Sequence, residues 1–95
     1  MVRVAPLLRW RLREALAATH VEVADESHLH AGHAGARSGG GHFRATIVSA
    51  RFEGLPRVAA QRLVYDALGD LMRGEIHALA MTTWTPAQWA ERAAR

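Results

Sequence analysis

Residues 42–73 decide the fold, and they read HFRATIVSARFEGLPRVAAQRLVYDALGDLMR. This stretch begins with a strand pattern and continues into a helix pattern. In its first part, Phe43, Ala45 and Ile47 alternate with residues that would lie on the opposite side of an extended chain. The alternation predicts a strand over 42–50 that has one face in the core.

The second part of this stretch holds the clearest helix pattern in the chain. Its apolar residues recur at spacings of three and four, which predicts a helix over 57–73 with one buried face. These residues are Ala60, Leu63, Val64, Ala67, Leu68, Leu71 and Met72. Gly69 falls inside the pattern and is expected to cost about 1 kcal/mol relative to alanine. Gly74 follows the pattern as the predicted C-cap.

The segments on either side extend the pattern to six elements. We predict a helix over 4–18 and a strand over 20–25 before the stretch, and a strand over 75–83 and a helix from Pro86 after it. The predicted fold is therefore α+β, with the order α-β-β-α-β-α. Because three strands cannot form a sandwich by themselves, the helices are expected to pack on one face of the sheet.

The last helix has a complete set of start signals. Thr85 is placed as the N-cap, Pro86 as the first helical residue, and Gln88 as the third, which predicts a capping box. Trp84 and Trp89 flank this box at the positions of a hydrophobic staple. The two tryptophans could also stack on nucleic-acid bases, but their capping positions favour the structural role.

The composition restricts the classes of function. Ninety-five residues predict one domain over 1–95. The absence of cysteine excludes disulfides and thiolate metal sites built by this chain alone. A net charge of +3 is too small to argue for nucleic-acid binding by itself. Without a signal-peptide pattern or a long apolar run, we expect a cytoplasmic protein that makes no membrane contact and is monomeric when alone.

The histidines are the strongest candidates for functional residues in this sequence. His28, His30, His33 and His42 surround a predicted glycine-rich loop, and His77 lies near the start of the third predicted strand. Loop imidazoles can converge on a metal, although loop histidines are more often simply solvated. Two histidines can also replace two thiolates on one iron of a [2Fe–2S] cluster. In that case the thiolates must come from another molecule, which indicates a shared site at an interface.

Several short segments together carry a family resemblance. They are Asp25-Glu26-Ser27, His30-Ala31-Gly32-His33, His42-Phe43, Val48-Ser49, Arg51-Phe52-Glu53-Gly54, Arg62-Leu63-Val64-Tyr65, Ile76-His77-Ala78-Leu79-Ala80 and Thr85-Pro86-Ala87-Gln88-Trp89. In this order, and over nearly the whole chain, they resemble the BolA-like family. The segment His77-Ala78-Leu79 is highly characteristic of that family.

This resemblance implies a fold, a partner and a cofactor. The fold would be related to the class II KH domain, with a three-stranded mixed sheet. The partner would be a monothiol glutaredoxin, and a [2Fe–2S] cluster would be bridged between the two proteins, with glutathione also contributing a thiolate. The implied ligands from this chain are His77 and one loop histidine. His30 matches the loop position best, His33 is second and His28 third. The isolated chain would bind no cofactor.

One departure from the family pattern bears on a second hypothesis. Proteins of this family usually have Arg-His-Arg before the Leu-Val-Tyr segment, but here the residues are Ala60-Gln61-Arg62. The family resemblance also implies a DNA-binding transcriptional regulator, and this departure argues for weak DNA binding. A Gly-x-x-Gly string at Gly32–Gly35 lies between predicted strands and not between helices, so it is no KH-type signal. No nucleophile–base pair is indicated, so the sequence does not predict an enzyme.

Overall fold

The computed structural model describes residues 4–27 and 41–93, and it confirms the α+β class and the element order. The helices are α1 (Val4–Leu16), α2 (Arg57–Leu68) and α3 (Pro86–Ala93), and the strands are β1 (His20–Asp25), β2 (Gly41–Val48) and β3 (Ile76–Trp84). Short 3₁₀ segments span Ala50–Phe52 and Gly69–Arg73. Within 4–27 and 41–93, no helix has both the length and the apolar character needed to span a membrane.

The three strands form one mixed sheet in the order β1-β2-β3. The central strand β2 pairs antiparallel with β1 and parallel with β3. Phe43 shows the register, since it lies opposite Asp25 on one side and opposite Leu79 on the other. The three-stranded mixed sheet is therefore confirmed, and it places the starts of β2 and β3 at the same end.

The core lies between one face of the sheet and the helices α1 and α2. Residues of all three elements are almost fully shielded from solvent: Leu8, Leu12 and Leu16 from α1, Phe43, Ala45 and Ile47 from β2, and Ala60, Val64 and Leu68 from α2. Both periodicities used on the sequence, two for the strand and three to four for the helix, are thus confirmed. Burial of these side chains supplies the main driving force for this fold.

The shortest helix, α3, is placed differently from α1 and α2. Its Trp89 ring stacks on the His20 ring at a centroid distance of 4.8 Å. His20 alternates with the core residue Val21, so it lies on the face of the sheet away from α1 and α2. Val48 lies between His20 and Trp84 in the register and is buried. The helices α1 and α2 therefore pack on one face of the sheet, as expected. The helix α3 instead covers the buried Val48 on the opposite face.

The helix predicted over 57–73 is divided into α2 and a 3₁₀ segment. Gly69 ends α2 with a positive φ of 50°, and its N–H donates to the Tyr65 carbonyl. Such a backbone conformation favours glycine, so Gly69 is the C-cap of α2 and not a costly residue within it. Gly74 instead follows the 3₁₀ segment.

The start of α3 has the capping box and the hydrophobic staple that the sequence predicts. The Gln88 backbone N–H donates to Thr85 Oγ1 at 3.2 Å, and the Thr85 N–H donates to Gln88 Oε1 at 2.9 Å. These two hydrogen bonds are the predicted capping box. The Trp84 and Trp89 rings meet edge to face at 5.6 Å, as the staple requires.

Candidate functional site

Two histidines lie side by side at the end of the sheet where β2 and β3 begin. His42 is the second residue of β2 and is half-buried, while His77 is the second residue of β3 and is exposed. Their ring centroids are 5.0 Å apart and the ring planes are tilted by 49°. The pair therefore offers one accessible imidazole supported by a second, more enclosed one.

A β-bulge creates this pairing. Gly41 lies opposite Ile76, but the next residue of β2, His42, lies opposite Ala78. His77 is thus an additional residue in β3, held between two paired positions. Bulges of this kind bend a strand and redirect a side chain, and they are common beside functional sites. Here the bulge brings His77 next to His42 on adjacent strands.

The residues on either side of segment 28–40 lie at the same end of the sheet. Ser27 Oγ accepts a hydrogen bond from the His42 N–H at 3.0 Å, and the His42 carbonyl accepts one from the Glu26 N–H at 2.8 Å. On the other side, the Gly41 N–H donates to the Glu75 carbonyl at 3.1 Å. The residues that precede and follow segment 28–40 are therefore fixed next to the histidine pair.

Gly41 has no room for a side chain. A Cβ built there would lie 2.6 Å from the Phe43 ring and 2.9 Å from Ser27 Oγ. Contacts this short force neighbouring atoms to move, and overpacking of this kind typically costs about 1–3 kcal/mol. Gly41→Ala is therefore expected to lower the free energy of unfolding by about that amount, measured by urea denaturation.

Gly74→Ala is the matched control for this prediction. A Cβ at Gly74 would meet nothing within 4 Å, and the φ of Gly74 is −141°, outside the left-handed region. We expect a change within about 0.5 kcal/mol for this variant. Equal unfolding free energies for the two variants would contradict the close packing inferred between Gly41, Phe43 and Ser27.

The structure describes only one of the histidines that the sequence predicts as ligands. His77 lies in the pair described above, whereas His28, His30 and His33 lie outside the described residues. The sequence groups His42 with the loop histidines and does not indicate it as a ligand. Its position next to His77 depends on a bulge in a parallel strand pair, which no local pattern indicates. Within residues 4–27 and 41–93, no three histidine or carboxylate side chains are grouped so that they could hold a metal.

The described residues thus supply at most a partial ligand set. Two neutral imidazoles suit zinc, copper, nickel or iron, or the histidine-bound iron of a [2Fe–2S] cluster. Since the chain contains no cysteine, thiolate ligands for such a cluster would have to come from another molecule. The exposed position of His77 is compatible with a metal centre at an interface.

Comparison with known sequences gives a family match. The sequence model described as BolA-like protein matches residues 12–88. BolA-like protein 1 of Mus musculus is 42% identical over 88 residues, which are 93% of this chain. The chain spans 62% of the length of that relative.

A bacterial relative and a solved structure extend the comparison. The DNA-binding transcriptional regulator BolA of Escherichia coli is 37% identical over 79 residues, covering 83% of this chain and 72% of that protein. The crystal structure of a bol-like protein from Babesia bovis superimposes with a TM-score of 0.79 at 34% identity, covering 98% of this chain and 95% of the other.

Proposed function

Because this chain belongs to the BolA-like protein family, we propose that it is a non-enzymatic partner of a monothiol glutaredoxin and shares a bridged [2Fe–2S] cluster with it in iron–sulfur trafficking or iron regulation. His77 is one proposed ligand. His30 is the second, with His33 as the alternative. The glutaredoxin cysteine and glutathione supply the thiolates.

The observation that carries this proposal is the His42–His77 pair in a chain without cysteine. His77 is exposed, so iron held by another protein can reach it. His42 lies 5.0 Å away and is half-buried, which suits it to orient the His77 ring. Ser27 and Gly41 flank segment 28–40 and lie beside this pair, so a histidine of that segment would start close to the same iron. Together these features support a cluster site in which this chain supplies the histidine ligands and a partner supplies the remaining ligands.

Co-expression with a monothiol glutaredoxin tests this function. The purified mixture is expected to contain a one-to-one complex, with absorption and circular-dichroism bands of a [2Fe–2S] cluster that differ from those of the glutaredoxin alone. The controls are each protein purified separately and the mixture without glutathione. Failure to form a complex, or a spectrum identical to that of the glutaredoxin alone, would contradict the proposal.

The pH dependence of cluster binding provides a further check. Imidazole binds metal only as the neutral base, and an ordinary histidine side chain protonates near pH 6.5. Cluster retention by the complex is therefore expected to fall as the pH is lowered below about 6. A titration followed by circular dichroism measures this loss. Retention that is unchanged down to about pH 5 would argue against histidine ligands.

DNA binding is the alternative function, and it rests on the name of the Escherichia coli relative. In the segment where the family carries Arg-His-Arg, Ala60 is buried in the core, Gln61 is half-buried and Arg62 is exposed. One arginine of this segment therefore remains available for contact with a phosphate.

We accordingly expect weak DNA binding that is dominated by phosphate contacts and sensitive to salt. A fluorescence titration of a promoter-length duplex at physiological salt, with an unrelated duplex as competitor, measures it. Loss of the complex on adding competitor is the expected result. A tight complex that resists the competitor would favour the transcriptional-regulator function.

A further inference from the structure

The outer edge of β3 is available for strand pairing. One edge of β3 pairs with β2, and no other described strand pairs with the opposite edge. The Trp84 carbonyl accepts a hydrogen bond from the Ser49 N–H at 3.0 Å, so the backbone groups of Trp84 face β2. Since these groups alternate along a strand, Met81 and Thr83 direct their N–H and C=O groups outward.

This edge also lacks the usual protection against pairing. Exposed strand edges commonly carry charged residues that prevent other strands from adding to them. β1, at the other side of the sheet, contains Glu22 and Asp25, but the nine residues of β3 include no lysine, arginine, aspartate or glutamate. The two edges of the sheet thus differ, and β3 is the one suited to accept a further strand.

Two adjoining grooves turn the end of this edge into a cleft. One groove of about 410 Å³ is lined by Trp84, Gln88 and Arg92 on the side of α3. The other, of about 460 Å³, is lined by Leu55 and Arg57 at the start of α2. Both grooves reach Thr82 and Thr83. The edge of β3 is therefore the floor of a cleft, with α2 and α3 forming its walls.

The charge of the walls selects the kind of segment that fits. Each wall carries one arginine, Arg57 or Arg92, and Glu91 is the one carboxylate among the residues lining the two grooves. The first turn of α2 has no acidic residue, and its N-cap Pro56 makes no side-chain hydrogen bond. The partial positive charge at the start of α2 adds to that of the arginines. The cleft therefore favours a negatively charged occupant.

We propose that this cleft binds an extended acidic segment of a partner protein as a fourth strand on β3. The backbone of the segment would pair with the outward groups of Met81 and Thr83, and its side chains would alternate between the two walls. Pairing with the β3 of a second copy suits the cleft less well, because that strand has no acidic residue and is followed directly by α3. Pairing with the acidic β1 of a second copy would be head to tail and would join copies into a ring or an open chain. Thr82 lies five residues beyond His77, or about 16 Å along the strand, so this surface is separate from the proposed cluster site.

Amide hydrogen exchange of the full chain, followed by NMR, tests this proposal. The probe is a blocked octapeptide, Glu-Glu-Val-Val-Glu-Glu-Val-Val, at about 1 mM, in which glutamates face both walls. The control is the same peptide with lysine in place of glutamate. The glutamate peptide is expected to slow exchange of the outward N–H groups of Met81 and Thr83 about tenfold or more. The N–H groups of Ala80 and Thr82 face β2 and should change much less.

Variants identify the cleft as the site of that effect. Arg57→Gln and Arg92→Gln should each weaken peptide binding about two- to fivefold, as expected for exposed ion pairs. Thr83→Pro removes an outward N–H and should weaken binding about fivefold or more, with its fold checked by circular dichroism. If Thr83→Pro does not fold, the two arginine variants still test whether the peptide binds in the cleft.

Several results would overturn the proposal. They are unchanged exchange at Met81 and Thr83, an equal response to the lysine peptide, or protection that rises with protein concentration in the absence of peptide, which would indicate a second copy. Stronger protection of the same N–H groups by a single-stranded oligothymidylate would assign the cleft to nucleic acid instead.

Discussion

Leu68→Ala is expected to lower the free energy of unfolding by about 2–5 kcal/mol. Leu68 is the last residue of α2, its side chain has no exposed surface, and it belongs to the core formed by α1, α2 and the sheet. Removing its buried carbons loses their transfer free energy and leaves a cavity that the surrounding side chains fill only in part. Urea denaturation of the full chain, monitored by tryptophan fluorescence, measures the loss.

Val58→Ala is the control on the same helix. Val58 is 66% exposed, so its truncation should change the free energy of unfolding by less than about 0.5 kcal/mol. If Leu68→Ala costs no more than Val58→Ala, then the face of α2 assigned to the core is wrong.

His77→Ala is expected to abolish the mixed-ligand spectrum of the cluster in the complex with a glutaredoxin. The proposed site draws one ligand from β3, and among the described residues of that strand His77 is the only histidine. A missing ligand leaves a coordination position that water or another side chain would occupy, with a different spectrum and a less stable cluster. His30→Ala should have a smaller effect, because His33 lies three residues away and can replace it.

His20→Ala is the matched control for this prediction. His20 lies in β1, where its ring stacks on Trp89 and its Nε2 atom is hydrogen-bonded to Glu22. One contact is with α3 and the other is within β1, and His20 lies opposite Val48, at the other end of β2 from His42. We expect the His20→Ala complex to keep the wild-type cluster spectrum. An unchanged spectrum for His77→Ala, compared with this control, would remove His77 from the ligand set.

The parts of the fold that sequence patterns predicted are those specified by local interactions. Alternation of Phe43, Ala45 and Ile47 identifies the buried face of β2, because successive strand residues point to opposite sides. The Thr85–Gln88 capping box is likewise complete within four residues, and its hydrogen bonds are present. Such features require no knowledge of distant contacts.

The features that the sequence patterns did not predict depend on contacts between distant segments or on backbone conformation. Gly69 fits the apolar period of a continuous helix, yet its positive φ ends α2 there. The His42–His77 contact depends on the bulge in the parallel pairing of β2 with β3. The position of α3 follows from the apolar surface of Val48 and Trp84 on the second face of the sheet. Periodicity along one segment contains none of this information.

The central claim is that His77 binds iron in a cluster shared with a glutaredoxin, and pulsed electron paramagnetic resonance of the reduced complex tests it most directly. The chain is labelled with ¹⁵N-histidine and the glutaredoxin is left unlabelled. We predict a ¹⁵N coupling to the cluster in the wild-type complex. The His20→Ala complex should keep this coupling, and the His77→Ala complex should lose the contribution of one directly bound nitrogen. The absence of any ¹⁵N coupling in the wild-type complex, or an identical coupling in His77→Ala, would contradict the claim.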